Sequence, residues 1–115
     1  MAIEYISSDV HASEAVIHAQ AVYVRAQSAR ELAPTAAEQT RQILAQIDAI
    51  LARCGTSKSK LLTATLFCSD SRHSDEINTV WDAWVPWHDP PACTYLVVKL
   101  ATSKHRVAIQ VTAGR

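Results

Sequence analysis

The run from Thr35 to Cys54 carries the clearest pattern in the chain. Ile43, Leu44, Ile47, Ile50, Leu51 and Cys54 recur at helical spacing and make one apolar stripe. A stripe on one side only predicts a helix that lays this side on a sheet. Thr35-Ala36-Ala37-Glu38 opens it as a capping box, in which Thr35 satisfies a free backbone N–H and Glu38 reaches back to the cap. Gly55 supplies the stop. A second one-sided helix is predicted from Ser74 to Val85, with Ile77, Val80, Trp81, Trp84 and Val85 on one face and Pro86 closing it. Apolar or β-branched alternation predicts strands at Ala15 to His18, Ala21 to Gln27, Leu61 to Cys68, Thr94 to Leu100 and Arg106 to Thr112. In the fourth of these, Leu96, Val98 and Leu100 are expected to face inward. Tyr95, Val97 and Lys99 then take the other side, where two apolar members imply partial cover.

The order strand, strand, helix, strand, helix, strand, strand suits a mixed sheet with two helices on one face, an α+β sandwich of two layers. The chain has 115 residues, 49% of them hydrophobic and 19% charged, which is enough for one compact core and leaves no room for a second. A single domain over residues 1–115 is expected. No repeat, linker or low-complexity tract is visible, and Pro34, Pro86, Pro90 and Pro91 fall outside the periodic segments.

Charge narrows the function classes. Eleven Lys and Arg balance eleven Asp and Glu, so no strong field draws the protein to nucleic acid or anionic lipid. The basic cluster Lys104-His105-Arg106, with Lys58 and Lys60 elsewhere, makes a weak electrostatic footprint. Only two glycines are present, which excludes Gly-rich phosphate loops. Cys54, Cys68 and Cys93 are odd in number and share no C-x-x-C spacing, and His11, His18, His73, His88 and His105 show no ligand spacing. Neither a disulfide framework, a metal nor another cofactor is expected. Cys93, with His88 five residues upstream, has the makings of a nucleophilic pair, but no third residue orients it, and it is expected to be a buried strand cysteine, usually an inert small hydrophobe. Met1 to Val10 carries Glu4 and Asp9 and lacks the basic start and apolar run of a signal peptide; no stretch approaches a membrane span. A cytoplasmic protein without membrane contact is the expectation.

Four local patterns in sequence order sharpen this outline. They are Glu38-Gln39-Thr40 leading into the helix Ile43 to Leu51, Leu62-Thr63-Ala64-Thr65-Leu66-Phe67 followed by Ser69-Asp70, Ile77-Asn78-Thr79-Val80-Trp81, and Pro90-Pro91-Ala92-Cys93-Thr94 before the last two strands. Together they resemble the Rid family of small reactive-intermediate deaminases over nearly the whole chain. The resemblance implies a chorismate-mutase-like fold and a homotrimer with a ligand cleft at each subunit interface.

Set against that family, the chemistry is depleted. Deaminating members read Pro-x-Arg before the penultimate strand, and the arginine grips the carboxylate of an imino acid such as 2-iminopropanoate. Here the position is Ala92, and no residue in Pro90 to Thr94 can offer the bidentate pairing. The family's last strand typically reads Val-Glu-Ile-Glu, and its first glutamate is assigned to the attacking water. Here the sequence is Val107-Ala108-Ile109-Gln110, so the glutamate falls on Ala108, and general-base help of about 10²–10⁴-fold is lost. The family tyrosine near the cleft aligns with Ala12. Where the family has Ser-Gly-Gln, this chain has Arg25-Ala26-Gln27, so a cation enters that region, either as a relocated anion anchor or as a solvated or salt-bridged strand residue. Gln27, Asn78 and Thr94 keep polar groups at or near the cleft, with Cys93 beside them. Trp81, Trp84 and Trp87 are read as packing rather than pocket.

The resemblance and these losses imply a homotrimer whose clefts bind a small metabolite without the standard 2-aminoacrylate or imine deaminase activity. A hydrolase of an imine-like molecule using Arg25 as anchor, and an RNA-processing or translation-inhibiting protein, are the alternatives.

Overall fold

The computed structural model describes residues 2–115. Along the chain run β1 (Ile3–Ile6), β2 (Ala15–His18), β3 (Ala21–Gln27), α1 (Ala36–Arg53), β4 (Leu61–Cys68), α2 (Ser74–Trp84), β5 (Ala92–Val97) and β6 (Val107–Gly114). Short 3-10 turns at Lys58–Lys60 and Ser71–His73 lead into β4 and α2. The strands form one sheet in the order β1-β2-β3-β6-β4-β5, antiparallel throughout except for the parallel pair β4 and β5. A parallel pair needs a crossover, and α2 provides it. The last strand, β6, lies in the middle of the sheet between β3 and β4, with Val107, Ile109, Val111 and Ala113 fully buried.

α1 follows its sequence pattern closely. Its buried side is Ala36, Gln39, Thr40, Ile43, Leu44, Ile47, Ile50 and Leu51. Each fully buried Ile or Leu of this row contributes about 1.5–3 kcal/mol. The Thr35 hydroxyl accepts from the Glu38 N–H at 3.1 Å. The return bond from the Glu38 side chain is not among those formed. Instead Glu76 of α2 places its carboxylate at this helix start and accepts from the Ala37 N–H at 3.4 Å, a position that the helix dipole favours. At the other end Gly55, with φ +76°, turns the chain. The Gly55 N–H donates to Ala52 and the Thr56 N–H to Leu51, which satisfies two of the final carbonyls.

Two expectations are corrected. First, β1 had no counterpart in the periodicity: Ile3-Glu4-Tyr5-Ile6 is a short, largely exposed edge strand, held by its pairing with β2 rather than by an apolar pattern. Second, β5 presents the opposite face from the one expected. Its register sets Tyr95 beside Leu66 and Leu96 beside Phe67. Leu66 is a core residue, so Tyr95 packs under the helices while Leu96 stands on the far side, 41% exposed. The strand also ends at Val97, so Val98 and Leu100 are not strand residues at all.

The two faces of the sheet differ in cover. Both helices lie over the face carrying Val22, Val24, Ile109 and Val111, and Ile77 and Trp81 of α2 are buried in the same core. The other face, with Tyr5, Tyr23, Thr63, Thr94 and Leu96, has no helix over it. No helix among the described residues is long and apolar enough to cross a membrane.

Candidate functional site

The pairing of β3 with β6 breaks where the sequence placed its relocated cation. Val24 pairs with Val111 and Gln27 with Ile109, so Arg25 and Ala26 together stand opposite Gln110. This is a β-bulge, which re-aims side chains and disrupts the local ladder. The Val24 carbonyl accepts instead from the Gln110 side-chain amide at 3.1 Å. Gln27 is buried and braces the bulge: its Nε2 donates to the Arg25 carbonyl at 3.0 Å, and its Oε1 accepts from Gln46 of α1 at 3.1 Å. Both ends of the Gln27 amide are thus engaged inside the chain.

The bulge leaves Arg25 exposed at the rim of a concavity of 220 Å³, which Glu14, Ser28 and Arg30 also line. The Arg25 N–H donates to the Glu14 carbonyl at 2.9 Å and ties the rim to the loop before β2. Arg30 pairs with Glu14 at 3.1 Å. No carboxylate lies within ion-pair distance of Arg25 among the described residues. The lining thus holds two guanidinium groups and one carboxylate, which Arg30 engages, and the charge of Arg25 suits an anion. Nearby, the Asp9 carboxyl is held below the usual carboxylate range by the N–H groups of Ala12 and His11, with a smaller pull from Arg25.

The remaining candidates lie elsewhere. Ala92 and Thr94 pair with Thr63 and Thr65 and share their helix-free face; Ala108 pairs with Phe67 on that same face, near the sheet's middle. Thr94, Thr65, Gln110 and the Arg25 bulge form one cross-strand row. Arg25 and Thr94 are thus three strand spacings apart, about 14 Å, which is more than an arginine side chain spans. Cys93 pairs with Ala64 and so lies on the helix side of the edge strand, where it is exposed rather than buried, and partial desolvation pushes its thiol pKa up. A raised pKa disfavours the thiolate that a nucleophile needs. His88 stacks on Trp87, ring centroids 3.6 Å apart. Asn78 is exposed on α2, in the helix layer. One chain therefore brings Arg25 and Gln27 together, sets Ala92, Thr94 and Ala108 on one face, and leaves Asn78 and Cys93 apart from both. No group of three or more His, Cys, Asp or Glu that could hold a metal occurs among the described residues.

Two further glutamines that wire this architecture, Gln39 and Gln46, had no role in the sequence pattern. Gln39 is fully buried, donates to the carbonyls of Ala33 and Lys104 at 2.9 and 3.0 Å, and accepts from the Arg106 N–H at 2.9 Å. It ties the segment entering β6 to α1 and to the loop before it. The available signal was a polar residue four before Ile43, in the apolar stripe, where a buried amide must find partners.

Comparison with known proteins identifies the class. A family model described as Endoribonuclease L-PSP matches residues 4–114. The RutC family protein YoaB of Escherichia coli K12 is 38% identical over 115 residues, covering 99% of each chain. A RutC family protein of Haemophilus influenzae is 34% identical over 114 residues, covering 98% of each. Among solved structures, a member of the YjgF protein family from Neisseria meningitidis superimposes with a TM-score of 0.97 at 37% identity, covering 100% of this chain and 96% of that one. A Yersinia pestis protein of the Rid family gives 0.91 at 25% identity, covering 99% of this chain and 100% of that one. The chain belongs to the Rid family, which takes in the YjgF- and RutC-type proteins, and its two helices on a mixed six-stranded sheet are that family's chorismate-mutase-like fold.

Proposed function

We propose that the protein is a homotrimer whose intersubunit clefts bind a small anionic metabolite, with Arg25 as the anion anchor, and that it lacks the standard 2-aminoacrylate or imine deaminase activity. The observation that carries this reading is an exchange of charge. Alanines stand at positions 92 and 108, where the deaminating members hold their arginine and glutamate, while Arg25 sits unpaired on a concave rim. The uncovered sheet face with Tyr5, Tyr23 and Leu96 supports self-association, because burying these side chains against a second copy removes apolar area from water. The separation of Arg25 from Thr94 within one chain supports a site completed between copies: a neighbour brings its own Thr94 face to the Arg25 rim. Gln27 then acts as the brace of that rim, while Asn78 and Cys93 serve the helix layer.

The deciding experiment is hydrolysis of freshly generated 2-iminopropanoate by the protein, by an Arg25→Ala variant and by buffer alone, paired with calorimetric titration of pyruvate. The expected result is no hydrolysis above buffer, with pyruvate binding weakened about tenfold or more in Arg25→Ala. Hydrolysis that disappears with Arg25 would make the protein a hydrolase with a relocated anchor. A monomeric mass by light scattering would remove the intersubunit cleft. The matching family model's description as an endoribonuclease makes RNA the competing ligand. RNA binding that weakens steeply with salt and falls in the Lys104→Ala, Arg106→Ala double variant would replace the metabolite reading.

A further inference from the structure

A second concavity lies on the helix layer, away from the bulge and from the open sheet face. It is a groove of 430 Å³ between α1 and α2, within the size range of small-molecule sites. The two helices run in the same direction: Glu76 meets the start of α1 at Ala37, and Trp84 meets Asp48 further along. Ala45 and Ala83 line the groove where larger side chains would close it, and Leu44 and Val80 give it apolar walls. Trp84 closes one end and is fixed from three sides. Its Nε1 donates to Asp48 at 3.0 Å, Lys58 Nζ lies 5.1 Å from its ring centroid, and the Trp81 ring centroid is 5.4 Å away. An aromatic platform held this way loses little entropy when a ring packs on it.

Charge sets the chemistry of the occupant. Asp48 is engaged by Trp84, whereas Arg41 and Lys58 have no carboxylate within ion-pair distance among the described residues. Two cations and one anion line the groove. At the Trp84 end Asp48 offsets the charge of Lys58, whereas no lining carboxylate offsets Arg41, so an anionic head belongs at Arg41. Arg41 and Asp48 are seven residues apart on α1, about 10 Å along the axis, roughly the length of an aromatic ring carrying a short acid chain.

We propose that the groove between α1 and α2 is a ligand site for an arylalkanoate, an aromatic ring on a short chain ending in one carboxylate. The ring rests against Trp84, the chain lies over Ala83 and Val80, and the carboxylate meets Arg41.

The test is calorimetric titration of the full chain with indole-3-propanoate and with its neutral amide. The expected result is saturable binding of the acid, weakened about tenfold or more in the amide and in Arg41→Glu, as loss of a charge-assisted contact implies. Ala83→Trp, which fills the groove, abolishes binding, and Arg25→Ala leaves it unchanged. No saturable binding, or equal affinity for acid and amide, overturns the site. Loss of binding in Arg25→Ala moves the ligand to the bulge rim and also overturns it. Circular dichroism checks that Ala83→Trp folds; if it does not, Arg41→Glu decides, because unchanged affinity in that exposed substitution refutes the proposal.

Discussion

Tyr95 and Leu96 are neighbours on β5, yet they belong to two differently built halves of the molecule. Tyr95 looks into the layer between sheet and helices, where Val22, Ile47, Ile109 and Val111 have no exposed surface. Leu96 looks the other way, onto a face where Tyr5 and Tyr23 are about half exposed or more and Ala108 and Thr112 stand between them and the sheet's far edge. The helix-side face is completed by this chain's own residues. The other face is apolar enough to be worth covering and has nothing of its own to cover it. Ala92, Thr94 and Ala108 all lie there, and the Arg25 bulge opens at its border. The difference teaches that the chain's own stability is a property of one side, and that the proposed contact between copies belongs to the other side and to its rim.

Substitutions on the closed side have the largest effects. Ile47→Ala leaves a cavity at the centre of the α1 stripe, and a loss of about 2–5 kcal/mol is expected in urea denaturation. Gln39→Leu comes next. It keeps the volume but strands the carbonyls of Ala33 and Lys104 and the N–H of Arg106, and each unsatisfied buried group costs about 1–3 kcal/mol where water cannot enter. A Gln39→Leu variant as stable as the parent would show that these segments loosen freely, and the assigned tether would be wrong.

The open face should respond in the reverse sense. Tyr23→Glu is expected to change the unfolding free energy of the chain itself by about 0.5 kcal/mol or less, as for an ordinary surface substitution. Its effect falls on the proposed trimer: a carboxylate placed between copies is desolvated without a partner, so light scattering should show the mass of the single chain in place of the assembly expected of the parent. A variant that stays trimeric would mean that copies meet elsewhere. The comparison of the two faces would then lose its functional half.

Periodicity carried α1 almost to the residue, because its apolar stripe, threonine cap and glycine stop all point to the same element. It located β2, β3 and β4 to the residue and β6 within two residues, since each is buried on at least one face. It failed where local pattern and tertiary context part. β1 is four residues of edge strand defined only by its partner. β5 has apolar residues on both faces, so alternation does not say which side is inward; the register with β4 decides it. The candidate site was marked in the sequence as a set of departures from a family pattern at Arg25, Ala92 and Ala108. That these residues would not meet within one chain was not legible, because it follows from the strand order, which sets β6 and β4 between β3 and β5.

The smallest effect at neutral pH lies on the closed side, at Tyr95, and it grows as the solution becomes alkaline. The Tyr95 hydroxyl is buried and, among the described residues, makes no hydrogen bond of good geometry, with Cys68 and Ser74 as its polar neighbours. Burial pushes its pKa up to about 12 from the ordinary value of 10.0, with Cys68 adding to the rise and Ser74 opposing it. A neutral buried hydroxyl without a hydrogen bond of good geometry adds nothing that phenylalanine lacks, so Tyr95→Phe is expected to be within about 1 kcal/mol of the parent at pH 8, on the stable side if it differs. Above pH 10.0 the sign is fixed by linkage. The unfolded chain releases the phenol proton while the folded chain still holds it, so the parent's stability falls as pH rises from 10.0 through about 12. Phenylalanine has no proton to release. Urea midpoints measured along that range should therefore fall more steeply for the parent than for Tyr95→Phe. Parallel curves would mean that the phenol is solvated in the folded state, and that the layer under the helices is less closed at β5 than at β6.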